Sequence, residues 1–376
     1  MMETKTLLVT GESLFLDRHQ FLFKALSNHF EQLHFSPRQS EWYEAKLPRI
    51  VLKGLLTLRT GSLSKANAVF QKNRTAFVLK SRRAEQYIQQ LNEQPDLVFQ
   101  VFGTYRPFWK TSNIPYVILL DYTTALAEQN WPAWATFLSD RARQKWLKCE
   151  RLAYARATHI FSMSQIVKTS LIQDYEIAAQ KITVVGSSGD FQEPYIGEKT
   201  FGSQQILFNG SDFERKGGNL VLAAFSKVRQ IVPDAKLIVV GKTISQRLGF
   251  ANESDETGVV NLGYIKSRSE MHQLFLESDL VVAPAYCDPF PTFLMEAMNY
   301  GVPCITSNKD GMPEIVEHGV SGVIINQLTS ERLADEIVEL LSNYKKLASM
   351  SQASRSRIHT QLNWDYIASQ IICKLS

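Results

Sequence analysis

"FNGSDFERKGG" (Phe208–Gly218) sets two adjacent cations, Arg215 and Lys216, between the end of an apolar run and a pair of glycines. The residues leading into it, "QQILFNG", read as a strand, and those that follow, "NLVLAAFSKVRQIV", read as a helix. Strand, short glycine-bearing turn and helix form the repeating piece of an α/β domain. On its own the turn fits two descriptions equally. It is a solvated charged loop, or it is an anion site where the amides of a helix start act with both cations. The glycines would let a ligand approach the backbone closely.

The same alternation continues downstream through "AKLIVVG", "GVVNLG", the helix "RSEMHQLFLESD", "LVVAPA", the helix "FLMEAMNYG", "PCITS" and "SGVIIN". A last long helix is predicted from about Thr329, and "WDYIASQIICKLS" reads as an amphipathic terminal helix. Upstream, "TLLVT", "DLVFQVF", "PYVILL", "HIFSM" and "ITVVG" are short β-branched and aromatic runs, the pattern of parallel strands covered on both faces. "DRHQFLFKALSNHF" has helical spacing, and "SQIVKTSLIQDY" reads as a helix capped by Ser164. Around Gly186–Gly202 the periodicity fails and Gly, Ser and Pro accumulate, so a linker is predicted there. The expected architecture is two doubly wound α/β domains, residues 1–190 and 191–360, with a terminal helix at 361–376 packing back on the first. Ligands of such domains bind at the carboxyl ends of strands, here in a cleft between the two.

Composition narrows the function classes. The chain has 376 residues, 44% hydrophobic, beyond the size at which one core usually suffices. A formal charge of +4 is too small to argue for nucleic acid. Cys149, Cys287, Cys304 and Cys373 are far apart, which fits neither a zinc site nor a disulfide framework and points to a reducing cytoplasm. The N-terminal apolar run is too short for a signal peptide, and no run is long enough to span a bilayer. From Arg38 to Arg83 cations outnumber acids heavily, with only Glu41 and Glu44 against them, and apolar residues are interleaved, as in "RIVLKGLLTLRTG". That pattern fits helices with solvated basic outer faces. It also fits a basic–apolar surface for anionic lipid or a polyanionic acceptor.

A second stretch adds carboxylates. In "APAYCDPFPTFLMEAMNYGVPCITS", Asp288 and Glu296 stand eight residues apart. Asp288 reads as a loop residue after a strand, and Pro291–Thr292 as the start of a helix that carries Glu296 in its first turns. The N–H groups of Thr292, Phe293 and Leu294 then face the gap between the acids. An anion site flanked by two hydrogen-bond acceptors suits a ligand with a phosphate in the middle and a polyol at each end, as a nucleotide sugar has. The opposing description makes Asp288 a loop cap and Glu296 a surface residue.

From about Gln205 to Asn326 these stretches, in order, resemble the donor-binding domain of retaining GT-B glycosyltransferases of family 4, the glycosyl transferases group 1. The earlier half is similar in architecture only. The resemblance implies a hexosyltransferase (EC 2.4) that moves a sugar from a nucleoside-diphosphate sugar, UDP- or GDP-linked, to a saccharide or lipid-linked acceptor in envelope or exopolysaccharide synthesis. Arg215 and Lys216 match the basic pair that neutralises the donor diphosphate and stabilises it as it leaves. Glu296 matches the second acid of the E-x7-E motif, which binds ribose hydroxyls. Asp288 matches the first acid, on the donor sugar, but is one methylene shorter than the usual Glu, a retraction of roughly 1.5 Å. Phe293 and Leu294 match positions whose amides touch phosphate. Gly210 belongs to the turn ahead of the basic pair, and Gly263 and Tyr264 fall where the family's chain passes the nucleobase. Gly11 matches a loop near the donor phosphates and acceptor, and Asp121 falls near the family's reacting centre, where a turn-forming Asp is the other description.

No H-E-x-x-H, D-x-D or G-x-x-x-x-G-K-[ST] occurs, so zinc, a metal-held diphosphate and a P-loop are not expected, and no cofactor beyond the donor is. "GSSGD" is not a nucleophile elbow. The expected location is the cytoplasm, with peripheral contact at the inner face of an anionic membrane through the basic segment. Two rivals stay open: a nucleotide-sugar epimerase of the same fold, and a catalytically silent partner subunit that binds sugar nucleotide.

Overall fold

The computed structural model describes residues 5–37, 46–110, 112–241 and 258–375. The chain divides into two compact units, Met1–Val185 with Ala368–Ser376, and Gly186–Ile367. Among the described residues, each unit is built on one six-stranded parallel sheet. The first holds β1 (Thr6–Gly11), β2 (Gln32–Phe35), β3 (Leu97–Val101), β4 (Tyr116–Leu120), β5 (His159–Ser162) and β6 (Ile182–Val184), in the order β2-β1-β3-β4-β5-β6. The second holds β7 (Gln205–Asn209), β8 (Lys236–Val240), β9 (Val259–Gly263), β10 (Leu280–Ala283), β11 (Cys304–Ser307) and β12 (Gly322–Ile325), in the order β12-β11-β10-β7-β8-β9.

Counted within its own unit, the second sheet runs 3-2-1-4-5-6, the order of dinucleotide-binding sheets. The first runs 2-1-3-4-5-6, which begins in the flavodoxin-like order. Each sheet therefore has one place where the winding reverses, between β1 and β3 in the first and between β7 and β10 in the second. The central strands β3 and β4 are buried at every position, as strands covered on both faces must be. Val98, Ile118 and Ile160 centre one core, and Phe208, Leu237 and Val282 centre the other.

Several expectations need correction. The strand β2, "QLHF", does not stand out in the sequence, because an exposed edge strand needs no apolar run. The helical stretch after β1 is two helices, Ser13–Arg18 and Gln20–Ser27, that meet at His19. The long helix expected from Thr329 is also two, Ser330–Leu341 and Tyr344–Thr360, the second opened by Asn343, whose side chain accepts the Lys346 N–H. Ser164 does precede a helix, Gln165–Gln173, but its side chain makes no capping bond.

The predicted linker is a bound strap of the second unit. The Ser188 hydroxyl donates to Leu362 O at 2.7 Å, the Trp364 indole N–H to Gly189 O at 3.0 Å, and the Tyr195 N–H to the Asn299 side chain at 2.9 Å. The terminal helix is Trp364–Leu375, and the division between the units falls inside it, at Ile367 and Ala368.

Candidate functional site

The parallel pairing of β10 with β7 sets Val282 opposite Phe208, so the loops that leave these strands are neighbours at the winding reversal. The first loop runs from Gly210 to Gly217, then opens the helix Gly218–Ile231. Its last glycine has φ 78°, and a Cβ there would lie 2.4 Å from Pro284 O on the second loop. A Cβ on Gly218 would lie 2.3 Å from the Phe213 ring. Gly217 is thus what lets the two loops touch, and Gly218 lets Phe213 of the first loop fold back against the helix start.

That contact positions Arg215. Its Nε donates to Asp212 at 2.7 Å, its Nη1 donates to Cys287 O and lies 3.3 Å from Asp288 Oδ2, and its own carbonyl accepts the Tyr286 N–H at 2.8 Å. Burial works against the guanidinium charge, but Asp288 and Asp212 outweigh it and raise the pKa above its ordinary value. Lys216 is held more loosely. Its ammonium lies 3.9 Å from Asp288 Oδ2, beyond hydrogen-bond reach. Burial pushes its pKa down from the ordinary lysine value; Asp288 opposes this and Arg215 adds to it. The amides of Lys216, Gly217 and Gly218 bond to Asp212, Glu214 and Phe213 carbonyls. The expected amide contribution at this turn therefore does not come from these three groups, and the side-chain charges carry the attraction.

The second loop ends at Pro291, which precedes the helix Thr292–Asn299. Leu294 N–H turns back to Pro291 O at 3.2 Å, so of the three expected anion-facing amides it already has a partner. Thr292 and Phe293 have no preceding helical carbonyl to bond. A crevice here is lined by Asn209, Lys216, Asp288, Pro291, Phe293 and Met312, among others. Asp288 N–H donates to Asp310 at 2.7 Å, and Asp310 has a φ of 49°. One turn into the helix, Glu296 accepts the Asp190 N–H at 3.2 Å, and Asp190 pairs with Arg268 at 2.8 Å. Burial pushes the Glu296 carboxyl up from its ordinary value, while the Asp190 N–H and Lys216 pull it down.

The structure thus brings Arg215, Lys216, Asp288, Phe293, Leu294 and Glu296 together in the second unit. Gly210 donates to Val240 O at 2.8 Å and fixes the start of the first loop. Gly263, with φ 65°, ends β9, two strands from β7, and Tyr264 beside it is 54% exposed. Two strand spacings put that end about 10 Å from β7. Asp190, Arg268 and Asp310 were not foreseen. No spacing rule links Asp190 to Glu296 across 106 residues.

Gly11 and Asp121 belong to the first unit, at the ends of β1 and β4. Beside Gly11, Glu12 accepts from the buried Lys80 ammonium at 2.8 Å. Asp121 is half-buried, ahead of the helix Thr124–Asn130, which Thr123 caps. At or just past the ends of β3 and β5, the buried hydroxyls of Thr104, Ser162 and Ser164 meet no protein hydrogen-bond partner, and neither does that of Tyr154 next to Gly103.

Two parallel-sheet units with these strand orders have the GT-B fold of glycosyltransferases. Sucrose-phosphate synthase from Thermosynechococcus elongatus superposes with a TM-score of 0.68 over 98% of each chain at 15% identity. The Anabaena protein Alr3699/HepE, solved with UDP-glucose, superposes at 0.62 over 98% of this chain and 99% of its own, at 18% identity. Likenesses at such identities speak for the fold. Residues 196–357 match the family model of glycosyl transferases group 1. Among curated proteins, the D-inositol 3-phosphate glycosyltransferase of Segniliparus rotundus is 27% identical over 214 residues, 53% of this chain and 48% of that one. The chain spans about half the length of the curated relatives it matches.

Proposed function

We propose that the chain is a retaining glycosyltransferase of family 4 that uses a nucleoside-diphosphate sugar. The observation that carries the reading is the pair Arg215–Lys216, set against Asp288 where the second sheet reverses its winding. The donor diphosphate lies against the two cations and the start of the helix Thr292–Asn299. Ribose hydroxyls bond to Glu296, and the base passes Gly263 and Tyr264. The roughly 10 Å between the ends of β7 and β9 suits a nucleotide lying across three strands. Asp288 faces the donor sugar.

The acceptor hydroxyl attacks the anomeric carbon on the face from which the diphosphate departs. The bond from carbon to diphosphate oxygen breaks, the new glycosidic bond forms, and the hydroxyl proton passes to the departing oxygen. Arg215 and Lys216 stabilise the charge that grows on that oxygen, a contribution worth about 3 kcal/mol per donor at comparable sites. They take the place of a bound metal. Gly11, Asp121 and the unpartnered hydroxyls of the first unit serve the acceptor, since buried polar groups call for partners. The acceptor is a saccharide or lipid-linked precursor of an envelope or exopolysaccharide, met on the cytoplasmic side where donors are made.

The test is a panel of UDP-, GDP- and ADP-sugars, read by thermal stabilisation and slow donor hydrolysis. One nucleotide class is expected to raise the melting temperature and to be hydrolysed, with no change on adding a chelator. No stabilisation by any nucleotide sinks the reading. Stabilisation without hydrolysis or transfer assigns the chain to a silent sugar-nucleotide-binding role.

A further inference from the structure

The helix Lys46–Thr60 in the first unit is inside out. A helix on a soluble surface buries its apolar stripe and shows its polar face. Here Val51, Leu55 and Leu58, spaced i, i+4, i+7 on one face, are 62%, 58% and 84% exposed. Ile50 beside them is 63% exposed, and Leu63, at the start of the next helix, Leu63–Gln71, is also 63% exposed. Gly54 shares the face, and a Cβ there would meet nothing within 4 Å. The opposite face packs inward through Leu56 and Thr57, and it takes Lys53 with it, whose ammonium sits 4.9 Å over the Phe70 ring.

Between Ala45 and Ala84 the sequence holds ten Lys and Arg and no Asp or Glu. Of these, Lys53 turns inward over Phe70, Lys72 bonds to Trp134 O and Lys80 is buried on Glu12. Arg59 and Lys65, next to Leu58 and Leu63, are exposed. Arg38, Glu41 and Glu44 of the basic segment lie outside the described residues, as does the side chain of Lys46. The expectation of helices with basic outer faces is therefore corrected for Lys46–Thr60: its outermost face is apolar, and cations rim it. An apolar face in a cationic rim is complementary to a lipid surface with anionic headgroups, where leucines enter the acyl boundary and long cationic side chains reach back to phosphates. A second copy of the chain fits poorly, because a two-fold contact would set this cationic rim against itself. No helix among the described residues is long and apolar enough to cross a membrane, so the contact would be peripheral.

We infer that Val51, Leu55, Leu58 and Leu63, with Arg59 and Lys65, form a docking surface for an anionic lipid bilayer. The inference deepens the acceptor half of the proposed function, placing the first unit where a lipid-borne acceptor is found. It needs no donor to be tested, so its failure is separate from failure of the donor panel.

The experiment is co-sedimentation of the full chain, without nucleotide, with vesicles of phosphatidylcholine alone or mixed with phosphatidylglycerol. Binding is expected on the mixed vesicles, roughly tenfold weaker on phosphatidylcholine alone, and weaker as salt rises. The double variant Leu55→Glu, Leu58→Glu is expected to lose roughly tenfold or more of that binding. Its melting temperature should stay unchanged, because both side chains are already in solvent. Arg59→Glu with Lys65→Glu should remove the preference for phosphatidylglycerol. No vesicle binding, equal binding by the leucine variant, or equal binding to both vesicle types overturns the inference. So does a dimer in solution that the leucine variant dissociates, which would give the face to a second copy.

Discussion

At the end of β7 the chain sets Arg215 and Lys216 at 3.3 and 3.9 Å from one carboxylate, Asp288. At the end of β1 it sets one carboxylate, Glu12, at 2.8 Å from one buried ammonium, Lys80. Both places are ends of parallel strands at a winding reversal, so the fold offers each as a ligand site. The residues differ in what they leave over. Lys80 is closed on Glu12 and Gln71, and what remains unpartnered in the first unit is a mixture of hydroxyls, the Gln100 carbonyl oxygen and two N–H groups of Arg106. Lys216 shares its carboxylate with Arg215, which has Asp212 and the Cys287 carbonyl as well. A further anion would relieve that shortage. The proposed donor diphosphate fits the cation pair of the second unit, and the side chains at the strand ends, not the architecture, distinguish the two places.

The largest effect tests the cationic end. Lys216→Ala should lower turnover roughly 10²–10³-fold. Its melting temperature should hardly move, because the ammonium makes no hydrogen bond within reach. A fully active Lys216→Ala would break the comparison at once. Arg215→Ala is less clean, since it also removes the side-chain contacts to Cys287 O and Asp288 that help join the two loops.

The next effect tests the closed pair. Glu12→Ala leaves the buried Lys80 ammonium against a neutral acceptor, Gln71 Oε1 at 3.3 Å, and removing the charged partner of such a pair costs about 3 kcal/mol. Chemical denaturation should show the loss. If Glu12→Ala is as stable as the parent, the first unit is not closed by that ion pair, and Glu12 becomes free to serve a ligand.

The smallest effect concerns Glu296. Its carboxyl is raised above the ordinary value of 4.5, chiefly by burial. As pH rises past 4.5 the unfolded chain gives up that proton before the folded one does. Stability from this group therefore falls as pH rises to the folded value, and is unpenalised below 4.5. Glu296→Gln keeps an acceptor for the Asp190 N–H and removes the titration. Its melting temperature should gain on the parent between acidic and neutral pH, while donor stabilisation weakens. A difference that does not change with pH would remove the buried charge from the account.

Much of this was legible in residue order. The apolar runs located the central strands, because a strand covered on both faces must be apolar throughout. Pro291 marked the helix start ahead of Glu296, whereas the glycines of "ERKGG" suggest room for a ligand and the structure shows Gly217 making room for Pro284. The edge strand β2, the breaks at His19 and Asn343 and the strap at Ser188–Tyr195 were not legible. Exposed edges and helix breaks carry no strong pattern, and the strap is held by single hydrogen bonds to residues far along the chain. The outward apolar face of Lys46–Thr60 was legible only as a mixture of Leu and Lys. Helical spacing gives two faces, but not which of them the rest of the unit covers.

By itself the sequence determined the α/β alternation, the cation pair and the spacing of Asp288 from Glu296, because these depend on neighbours along the chain. Tertiary structure alone decided that Asp288 reaches Arg215 and Lys216, that Asp190 holds Glu296, and that Lys80 is closed on Glu12. Each of those contacts joins residues dozens of positions apart, and only the order of strands in a sheet sets which loops become neighbours.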